Sequence, residues 1–191
     1  VRIAIVHPGE MGAAIGGLLV GEGHDVLWLP SGRSVASARR AEAAGMRPVD
    51  QEQILDADVI LSVCPPFAAV EVARSLRGTK ALVIEANAVS PATAQEVAGI
   101  VGERCVDGGI VGPPPPSAAG TTRLFLSGHL ASDAAAIFAP TDLEPVVLEG
   151  TRTAASALKM AYAAWTKGSA ALLLGAFALA RSNSVDDALV D

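Results

Sequence analysis

Aromatic residues are scarce in this 191-residue chain: two Trp, one Tyr and four Phe, 4% of the total. The apolar content of 51% is therefore carried by Ala, Val, Leu and Ile, which suits close helix-on-sheet packing. Charged residues make up 18%, too few for a disordered chain. Asp and Glu (20) outnumber Lys and Arg (14), and a net charge of −6 leaves no basic face to release counterions. That argues against a nucleic-acid partner. There are only two cysteines, Cys64 and Cys105, in or beside apolar runs. They read as small core residues rather than a bridge, and nothing requires an oxidising compartment. The opening VRIAIV lacks the flanks of a signal peptide. The longest apolar run, residues 169–180, falls short of the ~20 a bilayer needs. These features point to a soluble, cytoplasmic protein with no membrane partner. The three histidines, His7, His24 and His129, have no metal spacing, so no metal site is expected. No G-x-S-x-G or P-loop occurs.

What the chain does have is 19 Gly and 12 Pro punctuating short apolar runs. Runs of strand length at 1–6, 26–29, 47–49, 59–63, 81–86, 105–109, 122–127 and 146–148 alternate with helical patterns. The helical patterns fall at 11–21, 34–44, 51–55, 67–76, 91–101 and 132–139. This alternation predicts βαβ units and a parallel sheet. The first run is continuously apolar, as a strand covered on both faces should be. From 153 to 181 the texture changes to a dense Ala/Leu pattern without Pro, one helix roughly 43 Å long. Its second half is apolar almost all round, so something must bury it. Ser184 and Asp187 then resemble a capping box opening another helix. We expect a nucleotide-binding domain over 1–151, then over 152–191 a long interdomain helix and the start of an incomplete all-α domain.

The first strand ends in His7, Pro8, Gly9, Glu10, Met11 and Gly12, followed by a helix. In the dinucleotide fingerprint G-x-G-x-x-G the second glycine lets backbone approach a pyrophosphate, and the third lets helix and strand pack closely. Gly9 and Gly12 hold those places, and His7 stands at the first. His7 either touches the pyrophosphate or fills the turn. An NAD-preferring site places a carboxylate after the second strand. Here that position offers Ser31, Arg33 and Ser34, a guanidinium and hydroxyls suited to a 2′-phosphate. NADP(H) is therefore favoured over NAD(H). Asp25 precedes the strand and sits at its wrong end.

These residues resemble the β-hydroxyacid dehydrogenases, which include the 3-hydroxyisobutyrate and 6-phosphogluconate dehydrogenases. Residues 7–12 look like that family's GLGxMG turn. Residues 62–66 (SVCPP) are similar to its cofactor-edge loop and bring in Cys64, Pro65 and Pro66. Residues 85–91 (EANAVSP), with Asn87 and Ser90, resemble the D-x-S-T-x-x-P loop that lines the nicotinamide. Residues 107–112 (DGGIVG), with Gly109, Val111 and Gly112, stand where the family has its substrate motif. Ala157, Leu158 and Lys159 look like the G-x-x-K motif carrying the catalytic lysine. The matches come in family order across residues 1–181. The resemblance implies an α/β, Rossmann-type, doubly wound and mostly parallel sheet, a long interdomain helix, and an all-α domain that packs against a partner chain in a homodimer. It implies an NADP(H)-dependent oxidoreductase that exchanges a hydride with a small hydroxy or oxo substrate. Lys159 would serve as general acid and base.

The chain departs from the pattern where substrate would bind. Ala163 and Tyr162 replace two asparagines after the lysine, Val111 replaces a serine, and Pro113 replaces a glycine. The family's usual substrates are therefore not carried over. Tyr162 either hydrogen-bonds substrate or packs at a domain interface; Thr166 and Lys167 lie further along the same helix. Residues 113–116, four prolines, either stiffen a loop over the pocket or bind a partner. Reduction of a C=N bond, as in the related imine reductases, and a non-catalytic nucleotide-binding role remain alternatives.

Overall fold

The computed structural model describes residues 1–116, 118 and 120–190. Eight strands form a single sheet in the order β3-β2-β1-β4-β5-β6-β7-β8. They are β1 (Arg2–Ile5), β2 (Asp25–Trp28), β3 (Arg47–Pro48), β4 (Val59–Ser62), β5 (Leu82–Glu85), β6 (Cys105–Val111), β7 (Thr122–Ser127) and β8 (Leu143–Val147). All neighbours are parallel except the β6–β7 pair. The helices are α1 (Glu10–Gly21), α2 (Val35–Ala43), α3 (Gln51–Leu55), α4 (Ala69–Ser75), α5 (Pro91–Val101), α6 (Ala131–Phe138), α7 (Ala154–Ser182) and α8 (Asp186–Val190). This is the Rossmann-type doubly wound architecture. The chain leaves β1 in one direction for β2 and β3 and returns to its other side for β4. That places the crevice used by ligands of such sheets at the C-terminal ends of β1 and β4.

Alternation along each strand divides the core into two layers. Ile3 and Ile5 face one side with Ile15, Leu19, Trp28 and Met46, whereas Ala4 and Val6 face the other with Leu27, Ile54, Ile60 and Leu76. Because both faces are covered, β4 and β5 are buried at every position. Three helix starts read correctly from sequence because short polar side chains cap them. Ser34 accepts from Ser37 N, Asp50 forms a capping box with Gln53, and Ser90 accepts from Thr93 N ahead of Pro91.

Three expectations are corrected. The last strand runs over Leu143–Val147 rather than 146–148. Pro145, which reads as a strand breaker, is accommodated because β8 is the sheet's edge. β6 continues to Val111, two residues beyond the expected end. Ser184 does not cap α8: it lies at φ +57° in the turn that closes α7, where Val185 N donates to Ala180 O. The proline segment is only partly described, since 117 and 119 beside it fall outside the described residues.

α7 is the long helix foreseen, with Ala155 and Ser156 buried against the sheet. Beyond them it stands clear of the body. Trp165, Leu172, Leu174 and Leu179 are each about 70% or more exposed (71, 77, 71 and 69%). Its 29 residues include an 18-residue window of mean hydropathy 1.3, 6% of it buried, so the helix is long and apolar enough to cross a membrane. The contiguous apolar run of 169–180 alone had not indicated this, because Thr166, Lys167 and Gly168 end it.

Candidate active site

The turn between β1 and α1 is built by close contacts. Val6 N donates to Leu61 O, anchoring the end of β1 on β4, and Gly9 N donates to His7 O at 2.9 Å. Gly9 then occupies the N-cap of α1 with no side chain to satisfy the helix. The first intrahelical bond is Ala13 N to Gly9 O. The amides of Glu10, Met11 and Gly12 precede it, a set of donors with the partial positive charge of a helix start. The two glycines do different work. A Cβ on Gly12 would sit 2.3 Å from His7 O, so the fold itself requires this glycine. A Cβ on Gly9 would meet nothing within 4 Å. The space above Gly9 is open, so nothing in the chain itself requires a glycine there.

His7 is half-buried, and its Nδ1 is buried without a hydrogen-bond partner. Burial, assisted by the Arg33 guanidinium, pushes its pKa down to about 4, so the imidazole is neutral at pH 7. His7 and Arg33 border two adjoining hollows. One, about 340 Å³, is lined by residues 7–12 with Arg33, Ser37, Cys64 and Pro65. The other, about 320 Å³, lies past the end of β2 between α3 and α4, lined by Leu29, Gln51, Ile54, Ala68, Glu71 and Val72 among others. The second hollow was missed from sequence. Its walls come from four separate elements, and no motif marks them. Arg33 Nε donates to Ser31 O at 3.4 Å, and Ser34 is tied to α2 as its cap. Asp25 is paired with Arg47 at the far end of β2, away from the hollows.

The loops after β4 and β5 are fastened together by one amide. Asn87, 2% exposed, accepts from Cys64 N, donates from Nδ2 to Ser62 Oγ at 3.1 Å, and donates its own N–H to Glu85 Oε1 at 3.2 Å. Its side chain therefore shapes the cofactor-edge loop rather than standing free. Pro65 and Pro66 lead into a 3-10 turn, Pro66–Ala68. Burial raises the Cys64 thiol to about 11, which keeps it protonated. Ser90 is exposed and spends its hydroxyl on Thr93.

β6 and α7 meet more closely than any sequence pattern reveals. Asp107, 5% exposed, accepts from Ser156 Oγ at 2.5 Å, from Ser156 N at 2.8 Å and from Ser127 Oγ at 3.0 Å. Ser127 Oγ in turn accepts from Ala155 N at 3.0 Å. Two strands thus cap a helix whose own N-cap residue, Thr153, makes no side-chain bond. A Cβ on Gly109 would lie 2.9 Å from Ala155 O and 3.3 Å from Lys159 Cβ, so this glycine serves packing. Lys159 Nζ donates to Ile110 O at 2.5 Å. Half-burial, then the charge of Lys167, lower its pKa from the ordinary lysine value. Tyr162, 40% exposed, stacks edge-on against Trp165, with centroids 6.3 Å apart. Ala163 is half-buried, Thr166 donates to Tyr162 O, and Lys167 is exposed. Val111 is half-buried, and Gly112, at φ +134°, leaves no room for a Cβ against Thr122.

Asp107, missed as a structural centre, belongs to a buried polar row. Ser62, Glu85, Asp107 and Ser127 are register partners on β4, β5, β6 and β7, each 5% exposed or less. Burial raises the Glu85 carboxyl to about 7, and the neighbouring Asp107 adds to this. No group of three metal-binding side chains occurs among the described residues.

Residues 2–96 match the family model described as NADP oxidoreductase, coenzyme F420-dependent. No curated protein matches. Among solved structures, a conserved protein of unknown function, reported as structurally similar to 3-hydroxyacid dehydrogenases, aligns at TM-score 0.84 and 24% identity. It is matched over 99% of this chain and 73% of its own length. The Mycobacterium tuberculosis 3-hydroxyisobutyrate dehydrogenase with L-serine aligns at 0.76 and 23%, over 96% and 66%. The Myxococcus stipitatus imine reductase in complex with NADP+ aligns at 0.76 and 22%, over 97% and 68%, and a variant of it was solved with NAD+. At these identities the likeness is one of fold. The resemblance read from the motifs is thus borne out as that of a divergent NAD(P)-binding member, and neither substrate nor cofactor preference follows from it.

Two predictions follow from the glycines and from Glu85. Gly12→Ala should lower Tm by ~2–12 °C, an overpacking cost of ~1–3 kcal/mol. Gly9→Ala should leave Tm within ~2 °C yet weaken NADP(H) binding at least about tenfold; thermal melts with a calorimetric titration check both. For Glu85, the folded protein retains between pH 4.5 and about 7 a proton that the unfolded chain has released. Stability therefore falls as pH rises through that window. The unfolding free energy of the wild type, measured against Glu85→Gln, should drop by on the order of 3 kcal/mol across it. His7 titrates in the opposite sense and cancels in the difference. A flat difference would show Glu85 to be unperturbed.

Proposed function

We propose that this protein is an NADP(H)-dependent oxidoreductase in which Lys159 carries the proton that accompanies hydride exchange with a small hydroxy or oxo substrate. The observation that carries this reading is the glycine turn. Gly9 faces open space beside three first-turn amides, as a pyrophosphate cradle requires and as the fold alone does not. The residues present fit a dinucleotide. The amides of Glu10, Met11 and Gly12 would hold the pyrophosphate. Arg33, with Ser31 near it, would hold a 2′-phosphate. The hollow walled by Leu29, Ile54 and Val72 would take the adenine. His7, Cys64, Pro65, Pro66 and Asn87 would border the path toward the nicotinamide. When bound, the nicotinamide supplies or accepts the hydride.

The chain's own chemistry lies on α7. Half-burial lowers the proton affinity of the Lys159 amine, so it exchanges a proton closer to neutrality than a solvated lysine would. Ile110 O holds Nζ by one hydrogen bond and leaves its remaining donors for a substrate oxygen. Tyr162, one turn on, offers a phenol on the same face. The substrate would lie among Ser90, Gly109, Val111, Gly112 and Ala163. Val111 and Ala163 supply no polar anchor, which argues against a carboxylate held as in hydroxyacid enzymes. The same feature favours imine reduction as the second reading. The apolar face of α7 supports a homodimer in the cytoplasm, each helix covered by its partner, rather than a helix in lipid. In that arrangement the cover would begin beside Tyr162 and Trp165 and would exclude water from the site.

Titration of NADPH and NADH, followed by a screen of aldehydes, ketoacids and imines for NADPH oxidation, tests the reading. NADPH should bind at least about tenfold more tightly than NADH, and Arg33→Ala should remove most of that difference while sparing NADH. Lys159→Ala should keep NADPH affinity and lose ~10²–10⁴-fold in turnover. Absence of binding by either nucleotide would overturn the proposal. Binding without turnover of any substrate would reduce it to a nucleotide-binding role.

A further inference from the structure

We propose that Asp107 is a positioning residue for Lys159, acting from β6 through the trans-cap that fixes the first turn of α7. The inference rests on the reading of Lys159 as the proton carrier. Three neighbouring points on one strand engage successive points on one helix face. The Asp107 carboxylate receives both the amide and the hydroxyl of Ser156. Gly109, lacking a Cβ, lets Ala155 O and Lys159 Cβ approach the strand. Ile110 O then receives the Lys159 amine. Ser156 and Lys159 are three residues apart and so share a face. The rotation of α7 about its axis is therefore set at Ser156, and the seat of Lys159 follows from it.

In the first turn, Asp107 and Ser127 from the sheet set that rotation together with the close packing of Ala155 on Gly109. Thr153 caps with no side chain, and among the described residues the amides of Ala155 and Ser156 have their partners in Ser127 and Asp107. A helix start without its cap frays over its first turn, and Lys159 begins the turn after it. The charged groups packed about this junction are Asp107 on β6, Glu85 on β5, Arg152 just before α7 and Lys167 further along α7. Of these, Asp107 alone bonds to α7 itself. Arg152 turns away, its guanidinium donating to Gly102 O and facing Glu103.

The test compares Asp107→Ala, Asp107→Asn and Ser156→Ala in the full chain. Three readouts are taken: NADPH affinity, turnover, and the pH dependence of Lys159 modification by trinitrobenzenesulfonate, followed by peptide mass spectrometry. The modification assay needs no substrate. A failure of the proposed reaction, in which Lys159→Ala retains turnover, is thereby kept distinct from a failure of this inference. Asp107→Ala should leave NADPH affinity within about twofold, because the glycine turn lies on other strands. It should move the Lys159 modification midpoint up toward that of a solvated lysine and lower turnover ~10- to 100-fold. Asp107→Asn keeps an acceptor for Ser156 N and should restore most of both. Ser156→Ala removes only the hydroxyl bond and should give a smaller shift in the same direction, which keeps the test open if Asp107→Ala does not fold. An unchanged midpoint and turnover in Ser156→Ala and Asp107→Ala would overturn the proposal. So would an Asp107→Asn variant as impaired as Asp107→Ala, since charge rather than cap geometry would then be responsible.

Discussion

A carboxylate buried in the sheet holds the start of the longest helix, and the arrangement of the site depends on it. Asp107 receives three hydrogen bonds, two of them from Ser156 and one from Ser127. Burying a carboxylate costs several kcal/mol, and charge-assisted hydrogen bonds recover ~1.5–3 kcal/mol each, so the group is tolerated because it is saturated. The saturation is mutual. α7 opens without a side-chain cap of its own, and β6 and β7 supply what it lacks. The junction therefore cannot slip by a residue without leaving buried amides and a buried carboxylate unpaired at once.

The polar row across β4, β5, β6 and β7 extends that constraint toward the glycine turn. Ser62 and Asn87 tie the loop carrying Cys64 to β5, and Glu85 lies between them and Asp107. Two carboxyls on adjacent strands with little solvent do not ionise together readily, which is why burial and Asp107 both favour a proton on Glu85. Hydrogen bonds thus tie β4 to β5 and β6 to β7 and α7 along the C-terminal edge of the sheet. At its margins stand the open backbone at Gly9, the Arg33 guanidinium and the Lys159 amine.

α7 shows the opposite economy. Its first turns are locked into the sheet, and its remainder presents Leu172, Leu174 and Leu179 to solvent. An apolar face of that length exposes far more than isolated surface leucines would and marks an interface. The exposed stretch begins at Tyr162 and Trp165, one turn beyond the seat of Lys159.

How much was legible in the sequence follows the range of the forces involved. The strand runs, the helical patterns, the glycine turn and the length of α7 were all readable, because each depends on residues within a few positions of one another. The sequence also marked Gly9 and Gly12 as a pair. Only the tertiary structure separated them, since His7 O forbids a Cβ at Gly12 and nothing in the chain approaches one at Gly9. The last strand was expected three residues late, past Pro145, because the tolerance of a proline there is a property of the sheet's order and not of the residues around it. Asp107 read as the start of a substrate motif and proved to be a cap, and the hollow between α3 and α4 had no motif at all. Both arise from side chains brought together across dozens of positions. Such contacts leave no period or spacing along the chain, so packing alone decided them.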